Sequence, residues 1–456
     1  MDQRIIDALR AHAGIDDWTL RLERSRGVQI YLVGKDVESV RQVSREAYEV
    51  EIFNDHPPTG GSGGGSGGDT ARGSATIPLA RVDLGRLPAI LDDAVTMARL
   101  INNPPWSLAG PATMPDVALA DPALVDDAAA MAAGLRAADE IRELAEQERA
   151  SGVRLSGAEL FLTSYEEELA NSRGAVASAT STRVLMEVTL LARGTQDETE
   201  YFRQSEARRI ADLGLADTVR VGAQLARDKL RAASPRTRQG PVVISGEALN
   251  QMMSGPVTGA LGAYLFQTSA RTAYEHLSRF ELGGSVYGEL EPAGDRLTMH
   301  ANARRPFGVS SYRWDSDGLP AQDLLVIEAG VLRARPASLR FAQYLGIPAT
   351  GRPGAAEIAP GLATHASLLD GGVPVLEVLD FSSANVEALS GDFGMEIRVA
   401  YETGPDGRRP ISGGSVTGNL FEAMADARFS SETMAFPQYA GPAAIRFESL
   451  QVAGAD

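Results

Sequence analysis

Along the first quarter of the chain the spacing of apolar residues changes period several times. Ile5, Ile6 and Leu9, with His12 at the end, recur as on a helix face. Val28–Val33 reads as a strand, and so does Tyr48–Phe53, where Tyr48, Val50 and Ile52 alternate with Glu49 and Glu51. Ala75–Leu79 reads as a third strand. Ile90, Ala94, Val95, Ala98 and Ile101 then make the apolar stripe of an amphipathic helix over roughly Ala89–Ile101. Between the second and third strands lies Thr59–Asp69, TGGSGGGSGGD, which has no side chains with which to pack and reads as an extended hairpin tip. It has no Lys-Ser/Thr at its end and no helix behind it, as a phosphate cradle requires. Residues 1–102 are therefore expected to form a mixed α/β domain with this flexible tip at 59–69.

A Pro- and Ala-rich connector, NNPPWSLAGPATMPDVALADP, follows, with Trp106 expected to pin it to the body. The stripe Leu124, Ala128, Met131, Leu135, Ala138 and Ala145 predicts a long helix over Leu124–Ala150, its opposite face charged and solvated. Strands are expected at Glu159–Ser164 and Thr182–Leu191, with a turn at Asn171-Ser172-Arg173-Gly174 between them, then a helix over Asp217–Ala232. These make a central section, 103–235. From 236 to 456 the pattern is mainly β. Strands are expected at Val242–Ile244, at Leu324–Glu328 paired with Val331–Arg335 across Ala329-Gly330, and at Val375–Phe381, Met395–Tyr401 and Ala444–Leu450. The many Gly and Pro residues between them suit a curled antiparallel sheet or barrel. The fold class is α+β: an N-terminal mixed α/β domain with long helices and a mainly antiparallel β C-terminal domain.

Composition narrows the function. The chain has 456 residues, 44% hydrophobic and 23% charged, ordinary for a globular protein of two or three domains. No run of apolar residues is long enough to span a membrane, and the N-terminus lacks a signal-peptide layout, so a cytoplasmic location is expected. A net charge of −17 argues against a nucleic-acid surface. The absence of cysteine removes disulfides, thiolate catalysis and Cys-based zinc sites. The histidines are His12, His56, His276, His300 and His365, and no pair has the spacing of a helical HExxH.

Few residues carry candidate chemistry. Pro241–Phe266, PVVISGEALNQMMSGPVTGALGAYLF, reads as a strand, a turn at Ser245–Gly246 and a short helix with Ala248, Leu249, Met252 and Met253 that stops at Gly255–Pro256. Ser254 has no base near it in sequence. Glu275 and His276 adjoin, but neighbouring helical residues do not share a face. Arg313–Gly318, RWDSDG, starts like a calcium loop and lacks the later acidic ligands, so it reads as a turn. His300 lies in an alternating strand-like segment.

A wider set of segments resembles the TldD/PmbA family. It comprises SGDFGMEIRVAY at Ser390–Tyr401, PISGGSVTGNLFE at Pro410–Glu422, GPAAIRF at Gly441–Phe447 and the closing LQVAG. The turn at Asn171–Gly174 and WDSDGLPAQDLLVIEAGVL at Trp314–Leu332 are similar to further family motifs, in the same order. The resemblance implies heterodimeric zinc peptidases that trim unfolded peptides, including the leaders of peptide natural products. TldD-type subunits carry a helical H-E-x-x-x-H and a C-terminal Cys that bind zinc. TldE-type subunits share the fold, lack the metal site and complete the substrate chamber. Against the TldD pattern the first His falls at Ser254, the Glu at Gly255 and the second His at Gly259, and no Cys stands around Phe429–Ala435. The resemblance thus implies a TldE/PmbA-type subunit with no catalytic residue and no cofactor of its own, with zinc in a TldD-type partner. A peptide or peptide-like substrate would lie near Ser254, Gly255 and Gly259. Two other readings stay open: a metal-independent enzyme acting on an amide-linked metabolite through Ser254 or Glu275/His276, and a homo-oligomeric binding protein.

Overall fold

The computed structural model describes residues 1–58, 70–195, 197–254, 259–405 and 407–454. The expected tip at 59–69 lies outside them. The class is α+β, as the pattern predicted.

Six strands build the N-terminal layer: β1 (Asp17–Val33), β2 (Asp36–His56), β3 (Ala71–Leu79), β4 (Val153–Asn171), β5 (Val176–Arg193) and β6 (Glu198–Ala207). They form one antiparallel sheet in the order β3-β2-β1-β4-β5-β6. The boundary expected near 102 falls inside this sheet, because β1 pairs with β4 from Thr19↔Asn171 to Val33↔Gly157. The strands also run well past their expected limits. In β1 the buried positions Trp18, Leu20, Leu22, Val28, Ile30 and Leu32 share one face, while Arg24 and Arg26, at the same parity, interrupt the alternation.

Helices cover that apolar face in two groups. α1 (Gln3–Ala11) and α2 (Leu87–Ala98) close a core around Trp18, Leu20 and Val50. α3 (Pro122–Val125), α4 (Asp127–Gln147) and α5 (Leu215–Lys229) close a second core around Ile30, Leu160 and Val188. Asp126 caps α4 by accepting the Ala129 N–H at 2.8 Å. α4 lies so close to the sheet at Gly134 that a Cβ there would stand 2.7 Å from Ile30 Cδ1. Trp106 does pin the connector, packing edge-on against Phe53 at 5.5 Å and against Tyr344 at 6.3 Å between ring centroids.

The C-terminal half holds two further sheets. β7 (Arg238–Ser245), β12 (Val375–Val386), β13 (Asp392–Gly404), β14 (Gly407–Ile411), β15 (Ser415–Asn419), β16 (Arg428–Phe429) and β19 (Ala444–Ala453) make the first. Its order is β12-β7-β19-β15-β13-β14, and because β12 also pairs with β13 the five strands β12, β7, β19, β15 and β13 close into a barrel. The expected curled antiparallel sheet is thus present, with one parallel pairing, β7 with β12. β8 (Met299–Asn302), β9 (Asp323–Glu328), β10 (Val331–Leu332), β11 (Ala355–Ile358), β17 (Thr433–Ala435) and β18 (Tyr439–Pro442) form a second sheet in the order β10-β9-β8-β11-β18-β17. The short helices α6 (Gly246–Met253), α7 (Ala260–Thr268), α8 (Ala270–Tyr274), α9 (Leu339–Leu345), α10 (His365–Leu368) and α11 (Leu420–Ala423) fill the spaces around these sheets. One continuous core joins the barrel, α6, α7 and the second sheet. Val399 and Tyr401 of the barrel join the core under α5, where the Tyr401 hydroxyl donates to Asp228 at 2.5 Å. Among the described residues no helix is long and apolar enough to cross a membrane.

Candidate functional site

β7 leads directly into the helix on which the sequence reading centred. Gly246 makes the turn with φ of 58°, a left-handed conformation that suits glycine. α6 then buries Ala248, Leu249, Met252 and Met253 against the barrel and ends at Ser254, whose N–H donates to the Asn250 carbonyl at 2.6 Å. The Ser254 hydroxyl donates to Asn250 Oδ1 at 2.6 Å, an amide oxygen and not a base that could take its proton. Gly259 begins α7, its carbonyl accepting the Ala263 N–H at 2.9 Å. A Cβ on Gly259 would lie 2.4 Å from the Ser254 carbonyl oxygen. Ser254 and Gly259 are therefore neighbours in space. Gly255 and Pro256 lie outside the described residues.

This junction does not fit a zinc ion. Ser254 offers one hydroxyl already engaged and Gly259 offers no side chain, whereas zinc takes imidazole, thiolate or carboxylate ligands. Among the described residues no three His, Asp or Glu side chains gather as a metal site.

The side of α6 facing away from the barrel opens into a cleft of about 970 Å³. Its walls are β6, the 305–309 loop and the segment through β17 to Pro437. Along the α6 wall Gln251 makes a two-way clamp: its Nε2 donates to Asp380 Oδ1 at 2.8 Å, and its Oε1 accepts the Phe381 N–H at 2.7 Å. Asp380 is 1% exposed, and among the described residues its other oxygen, Oδ2, has no hydrogen-bond partner, with Arg398 at 3.7 Å. Arg203 of β6 faces Glu247 of α6 at 3.8 Å, and its buried Nε also lacks a partner among the described residues. Burial pushes both carboxyls up, Glu247 to about 6 and Asp380 to about 6, and the nearby arginines only partly offset it. The same burial lowers Lys229 and raises Tyr201. Unpaired polar atoms and shifted carboxyls in a cleft are common features of functional sites. Arg203, Glu247, Gln251, Asp380 and Arg398 were not singled out from sequence. They come from separate segments with no motif spacing, so only the fold brings them together.

The other sequence candidates scatter. Glu275 pairs with Arg271 at 2.9 Å on the surface, and His276 follows with φ of 58° and no nucleophile beside it among the described residues. His300 bonds Asp323 through Nδ1 at 2.9 Å on the exposed face of β8. Arg313–Gly318 is a turn: Asp315 Oδ1 accepts the N–H groups of Asp317 at 3.0 Å and Leu319 at 2.9 Å. The Asn171–Gly174 turn is held by Asn171 Oδ1, which accepts from Arg173 at 3.0 Å and Ala175 at 2.9 Å. Away from the cleft, His365 lies 2.9 Å from buried Glu377, which also meets Arg408 at 2.9 Å and Ser245 at 3.0 Å.

Comparison with known proteins agrees with the sequence resemblance. Residues 237–454 match the PmbA/TldA metallopeptidase C-terminal domain. The chain is 25% identical over 266 residues to Metalloprotease PmbA of Escherichia coli O157:H7, a match over 55% of this chain and 54% of the relative. The chain thus spans about half the length of the curated relative it matches. TldE from Thermococcus kodakarensis superposes with a TM-score of 0.75 at 15% identity, covering 99% of each chain. A protein from Thermotoga maritima described as a modulator of DNA gyrase gives 0.76 at 14% identity, over 99% of this chain and 100% of that one. A protein from Bacteroides thetaiotaomicron with the same description gives 0.77 at 15% identity, over 99% and 98%. At these identities the superpositions establish the fold.

Proposed function

We propose, for a chain whose residues 237–454 belong to the PmbA/TldA metallopeptidase family, that it is the non-catalytic, TldE-like subunit of a heterodimeric peptidase. A TldD-type partner would supply the zinc, and this chain would complete the chamber that holds an extended peptide or peptide-like substrate. The observation that carries the reading is the α6–α7 junction. By the sequence resemblance Ser254 and Gly259 would stand where the family's zinc helix carries its histidines; the hydroxyl of one is engaged, and the other has no room for a side chain. A metal must be held before its water can be acidified, so this chain would contribute shape and binding while the partner contributes the chemistry.

The cleft beside α6 supports the substrate half of the reading. β6 is the outer strand of the N-terminal sheet, β17 is the outer strand of the second C-terminal sheet, and both line the cleft. An extended chain laid there could add its backbone hydrogen bonds to a free strand edge. Ser254 as a nucleophile gains no support, because its hydroxyl bonds an amide oxygen. The test is co-expression with a TldD-type subunit followed by size-exclusion chromatography. Co-elution at a mass of one copy of each is expected. Separate elution under all conditions would sink the proposal.

A further inference from the structure

Three arginines of the cleft are weakly paired. Many guanidinium groups of this protein meet carboxylates at short range, as with Arg409 and Glu402 at 2.6 Å or Arg72 and Asp55 at 2.7 Å. In the cleft, among the described residues, Arg203 reaches Glu247 at 3.8 Å and its buried Nε has no acceptor. Arg398 reaches Asp380 at 3.7 Å and the Phe202 carbonyl at 3.5 Å. Arg305, half-buried on the opposite wall, makes no ion pair or side-chain hydrogen bond among the described residues.

The cleft carboxylates leave some of these N–H groups without acceptors. Glu206 is taken by Arg183 at 2.5 Å and Asp212 by Arg209 at 2.7 Å, while Asp217 is exposed at the rim. On the inner wall Glu247 and Asp380 face Arg203 and Arg398 only at 3.8 Å and 3.7 Å. The recess thus keeps guanidinium donors on Arg203 and Arg305 without an acceptor among the described residues. A guanidinium that lacks an acceptor in a partly desolvated wall gains most from a carboxylate, whose two oxygens match its fork.

We propose that this cleft reads a carboxylate on an extended peptide. The peptide main chain runs along the free edge of β6, its side chains pack on Phe202, Met434 and Phe436, and its carboxylate is held by Arg203 and Arg398 with Arg305 at the mouth. The group is either a C-terminal carboxylate or an acidic side chain. This rests on the reading of the cleft as part of a peptide chamber and adds the chemistry it selects.

Fluorescence anisotropy on the full-length chain without a partner tests it, using dye-labelled alanine–valine peptides of about six residues, enough to span a strand edge. Four are compared: free acid, C-terminal amide, and amides with one internal Glu or Gln. If the C-terminus is read, the acid binds about tenfold tighter than its amide; if a side chain is read, the Glu peptide exceeds the Gln peptide by about tenfold. Either preference should shrink in Arg203→Gln and Arg398→Gln and weaken with added salt. Arg305→Gln, which removes no ion pair or side-chain hydrogen bond seen among the described residues, gives the same readout should the inner variants fail to fold. Equal binding of all four peptides, binding of none, or a preference that survives the substitutions would overturn the proposal. Failure to co-elute with a TldD-type subunit, with the carboxylate preference intact, would instead reject only the heterodimer reading.

Discussion

Gly259 and Ser254 approach so closely that a single added carbon on the first would press into the carbonyl oxygen of the second, at 2.4 Å. The Met253 carbonyl would be 2.8 Å away on the same side. These are backbone atoms and cannot swing aside as a side chain would. Gly259→Ala should therefore destabilise the fold by about 1–3 kcal/mol, the usual cost of overpacking a rigid site. Thermal or denaturant unfolding of the full chain measures it, and a neutral substitution would show that the junction is loose.

The same contact bears on restoring a metal site. A Ser254→His, Gly259→His double variant should not gain stoichiometric zinc, because the second imidazole would have to displace backbone before it could reach a ligand position. Elemental analysis after dialysis against zinc decides it. Tight binding of one zinc by that variant would mean that the junction keeps the geometry of a zinc helix.

Gln251 is predicted to be among the costliest polar residues to remove. It satisfies both buried Asp380 and the Phe381 N–H. Gln251→Leu leaves two buried partners unpaired and should cost about 2–4 kcal/mol, whereas Gln251→Glu, which keeps the acceptor for Phe381 but faces Asp380 with a second carboxyl, should be tolerated better at acid pH than at neutral pH. Equal losses for both variants across that range would contradict the clamp.

The His365–Glu377 pair gives a pH signature. The hydrogen bond to Glu377 raises His365 above its ordinary 6.5, outweighing partial burial. Burial pushes Glu377 up, but the hydrogen bond from His365 and the charge of Arg408 more than reverse it, holding it below 4.5. A raised histidine stabilises fully below 6.5, and that contribution is lost as pH climbs through its folded value. A lowered carboxyl stabilises above 4.5 and loses its contribution as pH drops through its folded value. Their joint contribution is thus greatest between about 4.5 and 6.5. The groups around His365 are Glu377 on β12, Arg408 on β14 and Glu432. His365→Gln should flatten the decline in melting temperature above pH 6.5 and, because His365 also helps hold Glu377 down, weaken the decline on the acid side. An unchanged alkaline slope would remove His365 as its cause.

How far the sequence could be read depended on periodicity. Strands with clean alternation, such as Tyr48–Phe53, were legible in kind though shorter than the strands that hold them, the amphipathic helix expected at Leu124–Ala150 was legible to within a few residues, and so was Trp106 as an anchor. The outer half of β1 was not, because Arg24 and Arg26 stand at the parity of Leu20, Leu22 and Val28 and break the apolar rhythm. β6 escaped entirely: Glu198, Thr199 and Glu200 look like a loop until Tyr201 is seen buried beneath α5. The pairing of β1 with β4 across the division expected near 102 is a long-range event that no local window records. The α6–α7 junction was found from spacing and family resemblance. The charged cleft beside it was invisible, because Arg203, Glu247, Asp380 and Arg398 meet only when the N-terminal sheet packs on the barrel.

The central claim is that this chain shapes a peptidase chamber whose zinc belongs to another subunit. Metal analysis combined with a peptide-cleavage assay, on the chain alone and on a complex purified with a TldD-type partner, tests it most directly. The expected result is no stoichiometric zinc and no cleavage for the chain alone, and about one zinc per heterodimer with cleavage for the complex. Stoichiometric zinc bound by this chain alone, or peptide cleavage by it without a partner, would contradict the account.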